Sequence, residues 1–221
     1  WQMLTGKAFA SPGGCRSFSI PTDLDGFKEQ VARVNRQFRV LKLKLGSGNI
    51  DFDEAIAAYA HEAAPDATIF ADANGGWSIA DAATIIPRLL RREIAFLEQP
   101  IHHERGADAW RELRSALPSR SMPLFADESA QTAADIPWLS ELADGVNVKL
   151  LKCGGMRQAV TMIEHARASR MQVMLGCMIE SSLGVTAAAH LAPLVDWIDL
   201  DGHLYLADDD YGGLRFNDCG D

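Results

Sequence analysis

Along the chain, short apolar or alternating runs keep giving way to polar turns and then to apolar positions at helical spacing. The run "RSFSI" is followed by "DLDGFKEQVARVNRQ", where Phe27, Val31 and Val34 recur three and four residues apart. The same order returns in "VLKLKLG" with "FDEAIAAYAHEAA", "TIFADANGG" with "SIADAATIIPRLLRR", and "IAFLEQP" with "RGADAWRELRSAL". It continues through "PLFADES" and "AADIPWLSELA", "GVNVKLLKCGG" and "MRQAVTMIEHARAS", "QVMLGCMIE" and "SSLGVTAAAHLAPL", and ends on "WIDLDGHLYL". The pattern predicts eight strands joined by seven helices. Strands separated by helices pair in parallel through right-handed crossovers. An open doubly wound sheet and a closed barrel both satisfy this, but eight units of about 25 residues favour the barrel. No Gly-rich phosphate loop follows the first strand, which removes the main sign of a dinucleotide-binding sheet. The expected fold class is therefore α/β, a (β/α)8-type TIM barrel in a single domain.

The second strand carries an oddity. Leu41, Leu43 and Leu45 alternate with Lys42 and Lys44, so one face is leucine and the other lysine. On an exposed edge such lysines are ordinary solubilising charges. In a barrel the leucines lie under the helices, and the lysines point inward at the C-terminal end, where barrel enzymes place their active sites.

The next three units each end in an acid: Asp72 in "TIFADAN", Glu98 in "IAFLEQP" and Asp127 in "PLFADES". Each alone reads as a cap or turn residue. Three at the same point of consecutive units stand side by side, and all-oxygen ligation suits a hard cation such as Mg²⁺ or Mn²⁺. One unit later Lys149 falls on the sixth strand with Lys152 three residues on, so a cation on strands three to five is flanked by Lys44 and Lys149. Lysine serves as a base when its pKa falls from about 10.4 toward 7–8. Lys42 beside Lys44 and a nearby cation are expected to lower it. Asp199 and Asp201 in "DLDGH" suit a cationic group on a substrate, against the alternative that one caps the following turn. Glu180 is either a further site acid or a helix N-terminal acid. His102 and His103 read as solvated loop residues.

Composition narrows the partner. Lys plus Arg number 21 against 30 Asp plus Glu, a net charge of -9, which disfavours nucleic acid and anionic membrane and leaves a small molecule. Cys15, Cys153, Cys177 and Cys219 form no CxxC pair, so neither a zinc site nor a disulfide framework is expected, and a cytoplasmic setting fits. No run reaches 18 apolar residues, and the chain begins without Met, so it reads as a piece of something longer.

As an ordered set, K-x-K (Lys42, Lys44), "DAN", "EQP", "DES" and "NVKLLKCGG" resemble the enolase superfamily in its muconate-lactonising-enzyme subgroup, across residues 17–207. The resemblance implies that Asp72, Glu98 and Asp127 bind Mg²⁺ and that Lys44 and Lys149 are acid/base catalysts on opposite faces of the substrate. It implies that Lys42 helps hold the substrate carboxylate, with Asn74 and Glu180 as further substrate-side candidates. "GCMIESSLGVTAAAHLA" followed by "DLDGHLYLADDD" is similar to the dipeptide epimerases of L-Ala-D/L-Glu type, in which the Asp-x-Asp pair, here Asp199 and Asp201, receives the dipeptide's ammonium group. The implied reaction is Mg²⁺-dependent epimerisation through an enediolate, in a (β/α)7β variant of the barrel. Residues 1–16 then form the junction to an N-terminal α+β capping domain absent from this chain, 17–207 the barrel, and 208–221 the start of a C-terminal return. A homo-oligomer is compatible with the family. The alternatives are another subgroup activity, namely N-acylamino acid racemase, o-succinylbenzoate synthase or muconate cycloisomerase, or a catalytically silent barrel acting as a binding module.

Overall fold

A computed structural model describes residues 12–118 and 121–212, so Cys219 and most of both expected terminal segments lie outside the described residues. Eight strands form one parallel sheet in sequence order: β1 (Cys15–Phe18), β2 (Val40–Lys44), β3 (Thr68–Asp72), β4 (Leu97–Glu98), β5 (Leu124–Ala126), β6 (Gly145–Lys149), β7 (Gln172–Gly176) and β8 (Trp197–Asp199). The sheet curls into the nearly closed barrel that the alternation of patterns predicts. Among the described residues no ladder joins β8 to β1. The helices are α1 (Leu24–Val34), α2 (Ile50–Ala63), α3 (Ile79–Arg91), α4 (Gly106–Ala116), α5 (Ile136–Leu139), α6 (Leu150–Cys153), α7 (Met156–Ala168) and α8 (Ser182–Ala189). None of them is long and apolar enough to cross a membrane.

Local chemistry explains the boundaries. Asp23, Asn49 and Ser78 cap α1, α2 and α3 by accepting from main-chain N–H groups of the first turn. The strand predicted in "IAFLEQP" shrinks to two residues because Gln99 has φ 39 and Pro100 follows, turning the chain out of the sheet directly after Glu98. The helix predicted in "AADIPWLSELA" is only a 3₁₀ turn (Ala133–Asp135) and the four residues of α5. A helical turn, α6, starts directly after β6, so Lys152 sits on that turn rather than on the strand.

The core has two layers. Leu41, Leu43, Val146, Val148, Val173 and Leu175 face outward beneath the helices and are buried. Inside the barrel, Cys15, Phe70, Phe96, Phe125 and Met174 make an apolar floor, with Phe96 stacked between Phe70 at 4.4 Å and Phe125 at 4.3 Å between ring centroids. Lys42 stands on this floor with its Nζ 5.9 Å from the Phe70 ring centroid. The lysine face of β2 therefore points inward.

Candidate active site

Strand register assembles the polar cluster. Lys44 pairs with Asp72 and Asp72 with Glu98 across β2, β3 and β4; Lys149, Gly176 and Asp199 are level across β6, β7 and β8. Gly176 is required by a close approach, since a Cβ there would sit 2.5 Å from Asn147 Oδ1. The space it leaves lets Asn147 Nδ2 donate to Glu98 Oε1 at 2.5 Å. Gln99, held at positive φ, fixes the next acid: its Oε1 accepts from the Asp127 and Ser129 N–H groups, and its Nε2 donates to Ile101 O and Ser129 Oγ.

Four lysines meet these carboxylates. Lys42 Nζ lies 2.7 Å from Glu98 Oε2, 2.8 Å from Asp199 Oδ2 and 3.0 Å from Asp72 Oδ2. Its side chain is 2% exposed, so the charge is shielded from water. Lys44 donates to Asp72 Oδ2 at 2.7 Å and to Asn74 Oδ1 at 2.9 Å, with a third of its side chain exposed. Lys149 donates to Asp127 Oδ2 from the other side of the ring. Lys152 donates to Asp127 Oδ1, to the Asp127 carbonyl and to the Asn147 carbonyl. Lys44 and Lys149 thus flank the three acids, as the strand numbering predicts.

Burial opposes the charge of Lys42, but Asp199, Asp72 and Glu98 surround it, outweigh burial and raise its pKa. Lys149 is likewise raised, because Asp127 and Glu98 outweigh its burial. Neither lysine is depressed in this state, since its nearest neighbours are anions. Asp127 stays well below the usual carboxylate range: burial works against its ionisation, but Lys152 and Lys149 prevail. Glu98 goes the other way. Burial, then the Asp72 carboxylate, push it up to about 8.

These residues fit a divalent cation. One oxygen from each of Asp72, Glu98 and Asp127 lies within 4.8 Å of the others, and all three side chains are buried. Glu98 Oε2 has no hydrogen bond, since the nearby Lys42 ammonium is outside hydrogen-bonding geometry. Carboxylate oxygens, with water completing the shell, suit a hard divalent cation such as Mg²⁺. Millimolar Mg²⁺ is therefore expected to raise the melting temperature, with about 2.7 kcal/mol of stabilisation at a hundredfold excess over Kd. Asp127→Asn should lose most of that shift. A wild-type melting temperature indifferent to Mg²⁺ would exclude the cation site.

A cavity of about 300 Å³ beside the acids is lined by Lys44, Lys149, Asp199 and Asp201 and by the apolar Met178 and Ile179. The sequence motifs, their order and this geometry agree with a match to the family described as "Enolase C-terminal domain-like" over residues 26–214. The chain belongs to that family. Among curated relatives, it is 42% identical to a "Hydrophobic dipeptide epimerase" from Roseobacter litoralis over 82% of this chain and 52% of that protein. It is 38% identical to an "L-Ala-D/L-amino acid epimerase" from Pedosphaera parvula over 96% of this chain and 60% of that protein. A solved dipeptide epimerase from Cytophaga hutchinsonii, "complexed with Mg and dipeptide D-Ala-L-Val", superposes with a TM-score of 0.86 at 28% identity, covering 99% of this chain and 60% of that one. The chain spans about half to three-fifths of the length of these relatives.

The remaining predicted site residues of this enolase-family barrel divide. Asn74 reaches the site: it accepts from Lys44 and donates to Glu128 Oε1 at 3.2 Å. Asp199 and Asp201 both line the cavity, but Asp201 lies two residues past the end of β8, and each already has a protein cation, Lys42 for Asp199 and Arg16 for Asp201. Glu180 does not line the cavity. It turns back to accept from the Met178 N–H at 3.1 Å, tying its own loop. His102 and His103 are exposed and stacked on one another at 4.7 Å. Sequence reasoning missed Gln99, Glu128, Asn147 and Ser17. The first three lie inside the quoted motifs "EQP", "DES" and "NVK", so their position was the available signal. Ser17 had none.

Proposed function

We propose that this barrel carries the reaction centre of a dipeptide epimerase, which inverts the carbon α to the free carboxylate as one of Lys44 and Lys149 removes its proton and the other delivers a proton to the opposite face. The observation that carries the proposal is the placement of these two lysines on either side of a buried three-carboxylate cluster, with a second acidic pair, Asp199 and Asp201, lining the same cavity as the lysines. Asp72, Glu98 and Asp127 would hold Mg²⁺, which when bound supplies positive charge for the carboxylate of a carbon acid. Lys44 and Lys149 each exchange a proton with the α-carbon, one from either face. Lys42 keeps the floor of the site near neutrality and offers an ammonium to the substrate carboxylate. Asp199 and Asp201 receive the dipeptide's ammonium group, and Asn74 holds Lys44 in line. Met178 and Ile179 on the cavity lining suit an apolar second side chain better than a second carboxylate.

One observation favours a second reading. Lys42 and Arg16 already balance Asp199 and Asp201, as they would for an N-acylated substrate that brings no ammonium. Proton NMR in D₂O with Mg²⁺ and the full-length protein separates the two. L-Ala-L-Leu and L-Ala-L-Glu are expected to lose the α-proton signal of the second residue while the other diastereomer appears, the leucine peptide faster. Exchange with N-acetyl amino acids and with no dipeptide would overturn the ammonium assignment.

A further inference from the structure

The barrel is joined at its last seam by side chains. Ser17 on β1 presents its N–H and C=O where a neighbouring strand would pair, and among the described residues no strand takes them. Instead the Ser17 N–H donates to Asp201 Oδ2 at 2.8 Å, and the Ser17 C=O accepts from Tyr205 Oη at 2.6 Å. Both partners belong to the turn that follows β8, a 3₁₀ helix over Gly202–Tyr205 with Asp201 as its N-cap. The turn is also fixed on its other side. A Cβ at Gly202 would lie 2.1 Å from the Met178 carbonyl, and the Gly202 N–H donates to Cys177 Sγ at 3.3 Å. Asp201 stands between these two attachments.

We propose that Tyr205 is a positioning residue for the amine-binding end of the cavity. It acts by tying the turn after β8 to β1, which sets the separation of Asp201 from Asp199. This rests on the reading of those two acids as the ammonium site. The Tyr205 hydroxyl has one proton and two neighbouring acceptors, Ser17 O at 2.6 Å and Asp201 Oδ2 at 3.1 Å, and the shorter contact is the one it donates to. Its ring is held in place by the Arg16 guanidinium 4.7 Å from the centroid, and Arg16 in turn pairs with Asp201 at 3.3 Å. Ser17 Oγ completes the set by donating to Asp199 Oδ1 at 3.0 Å and approaching Asp201 Oδ1 at 3.4 Å. One strand residue thus touches both acids, and Tyr205 holds the second acid's turn against that residue. An ammonium shared by two carboxylates depends on their spacing, so a seam free to open weakens capture of the amine while leaving the lysines on β2 and β6 untouched.

The test is Tyr205→Phe in the full-length protein, which removes the hydroxyl and keeps the ring under Arg16. KM and kcat are measured with Mg²⁺ by α-proton exchange on the dipeptide that the wild type turns over best. The expected result is a KM raised about tenfold with kcat within about twofold of wild type, the pattern of lost ground-state binding. A KM within twofold of wild type overturns the assignment, whether or not the melting temperature falls, because a purely structural tyrosine changes stability and not the KM of the folded enzyme. If the wild type exchanges no dipeptide at all, the ammonium reading itself falls and this inference falls with it. A wild type that works, beside a Tyr205→Phe variant that works equally well, removes only the role of Tyr205.

Discussion

Lys149→Met should lower epimerisation by about 10²–10⁴-fold, the contribution typical of a positioned general acid or base. It should also split the two epimers. With one lysine gone, the epimer whose α-proton faces Lys44 still exchanges with D₂O and keeps its configuration, whereas the other epimer neither exchanges nor inverts. Methionine suits the position because Lys149 lies in a side-chain environment only 8% exposed, where its stem packs and its ammonium pairs with Asp127. Asp127 is not stranded by the change, since Lys152 still donates to it. Asp127 and Glu98, outweighing burial, favour the protonated form of Lys149 while no cation shares those carboxylates. The check is NMR on each pure diastereomer. Equal residual exchange of both would rule out a two-base arrangement on opposite faces.

That asymmetry was readable from the order of the strands. Alternating leucine and lysine in "VLKLKLG" has only one arrangement in a barrel whose outer face lies under helices, and Lys42 and Lys44 accordingly point inward. The three acids were readable for a similar reason: Asp72 and Glu98 end their strands and are level in the parallel register, and Asp127 directly follows β5, whose Phe125 pairs with Glu98. The direction of the lysine pKa shifts was not readable. It depends on which carboxylates reach which ammonium, and Lys42 proved to touch acids from β3, β4 and β8 at once.

Residues acting across a long sequence separation were also hidden. Nothing local in "RSFSI" shows that Ser17 will meet Asp199 and Asp201, because that contact exists only where the last strand returns beside the first. Glu180 failed for the opposite reason. Its motif placed it near the cavity, but a local hydrogen bond to the Met178 N–H turned its carboxylate away. The brevity of β4 was hidden as well, since it comes from the positive φ of Gln99, a buried residue whose side chain is committed to Ile101, Asp127 and Ser129.

Lys42→Met is expected to be the most destabilising change in the site, at about 3–5 kcal/mol in Mg²⁺-free buffer, the cost of removing one partner from a buried ion cluster. The ammonium lies against three carboxylates on an aromatic floor, and its side chain is 2% exposed. Without it, the side-chain hydrogen bonds left among the described residues are the one from Asn147 to Glu98 and the one from Ser17 to Asp199. For a chain of this length the loss corresponds to a fall in melting temperature on the order of 10 °C. The effect has a defined pH dependence. Glu98 in the wild type is already pushed up to about 8 by burial and Asp72, above its unfolded value near 4.3, so its ionisation is a penalty that is absent at low pH and complete only above the folded pKa. Taking away Lys42 deepens that penalty, so the variant should lose more stability at pH 9 than at pH 6, where Glu98 escapes by holding a proton. Urea unfolding at the two pH values measures both quantities. Mg²⁺ should return part of the loss, because Asp72 and Glu98 then face a divalent charge in place of the missing ammonium. A loss below about 1 kcal/mol at pH 9 would mean that Lys42 is not what holds these carboxylates together.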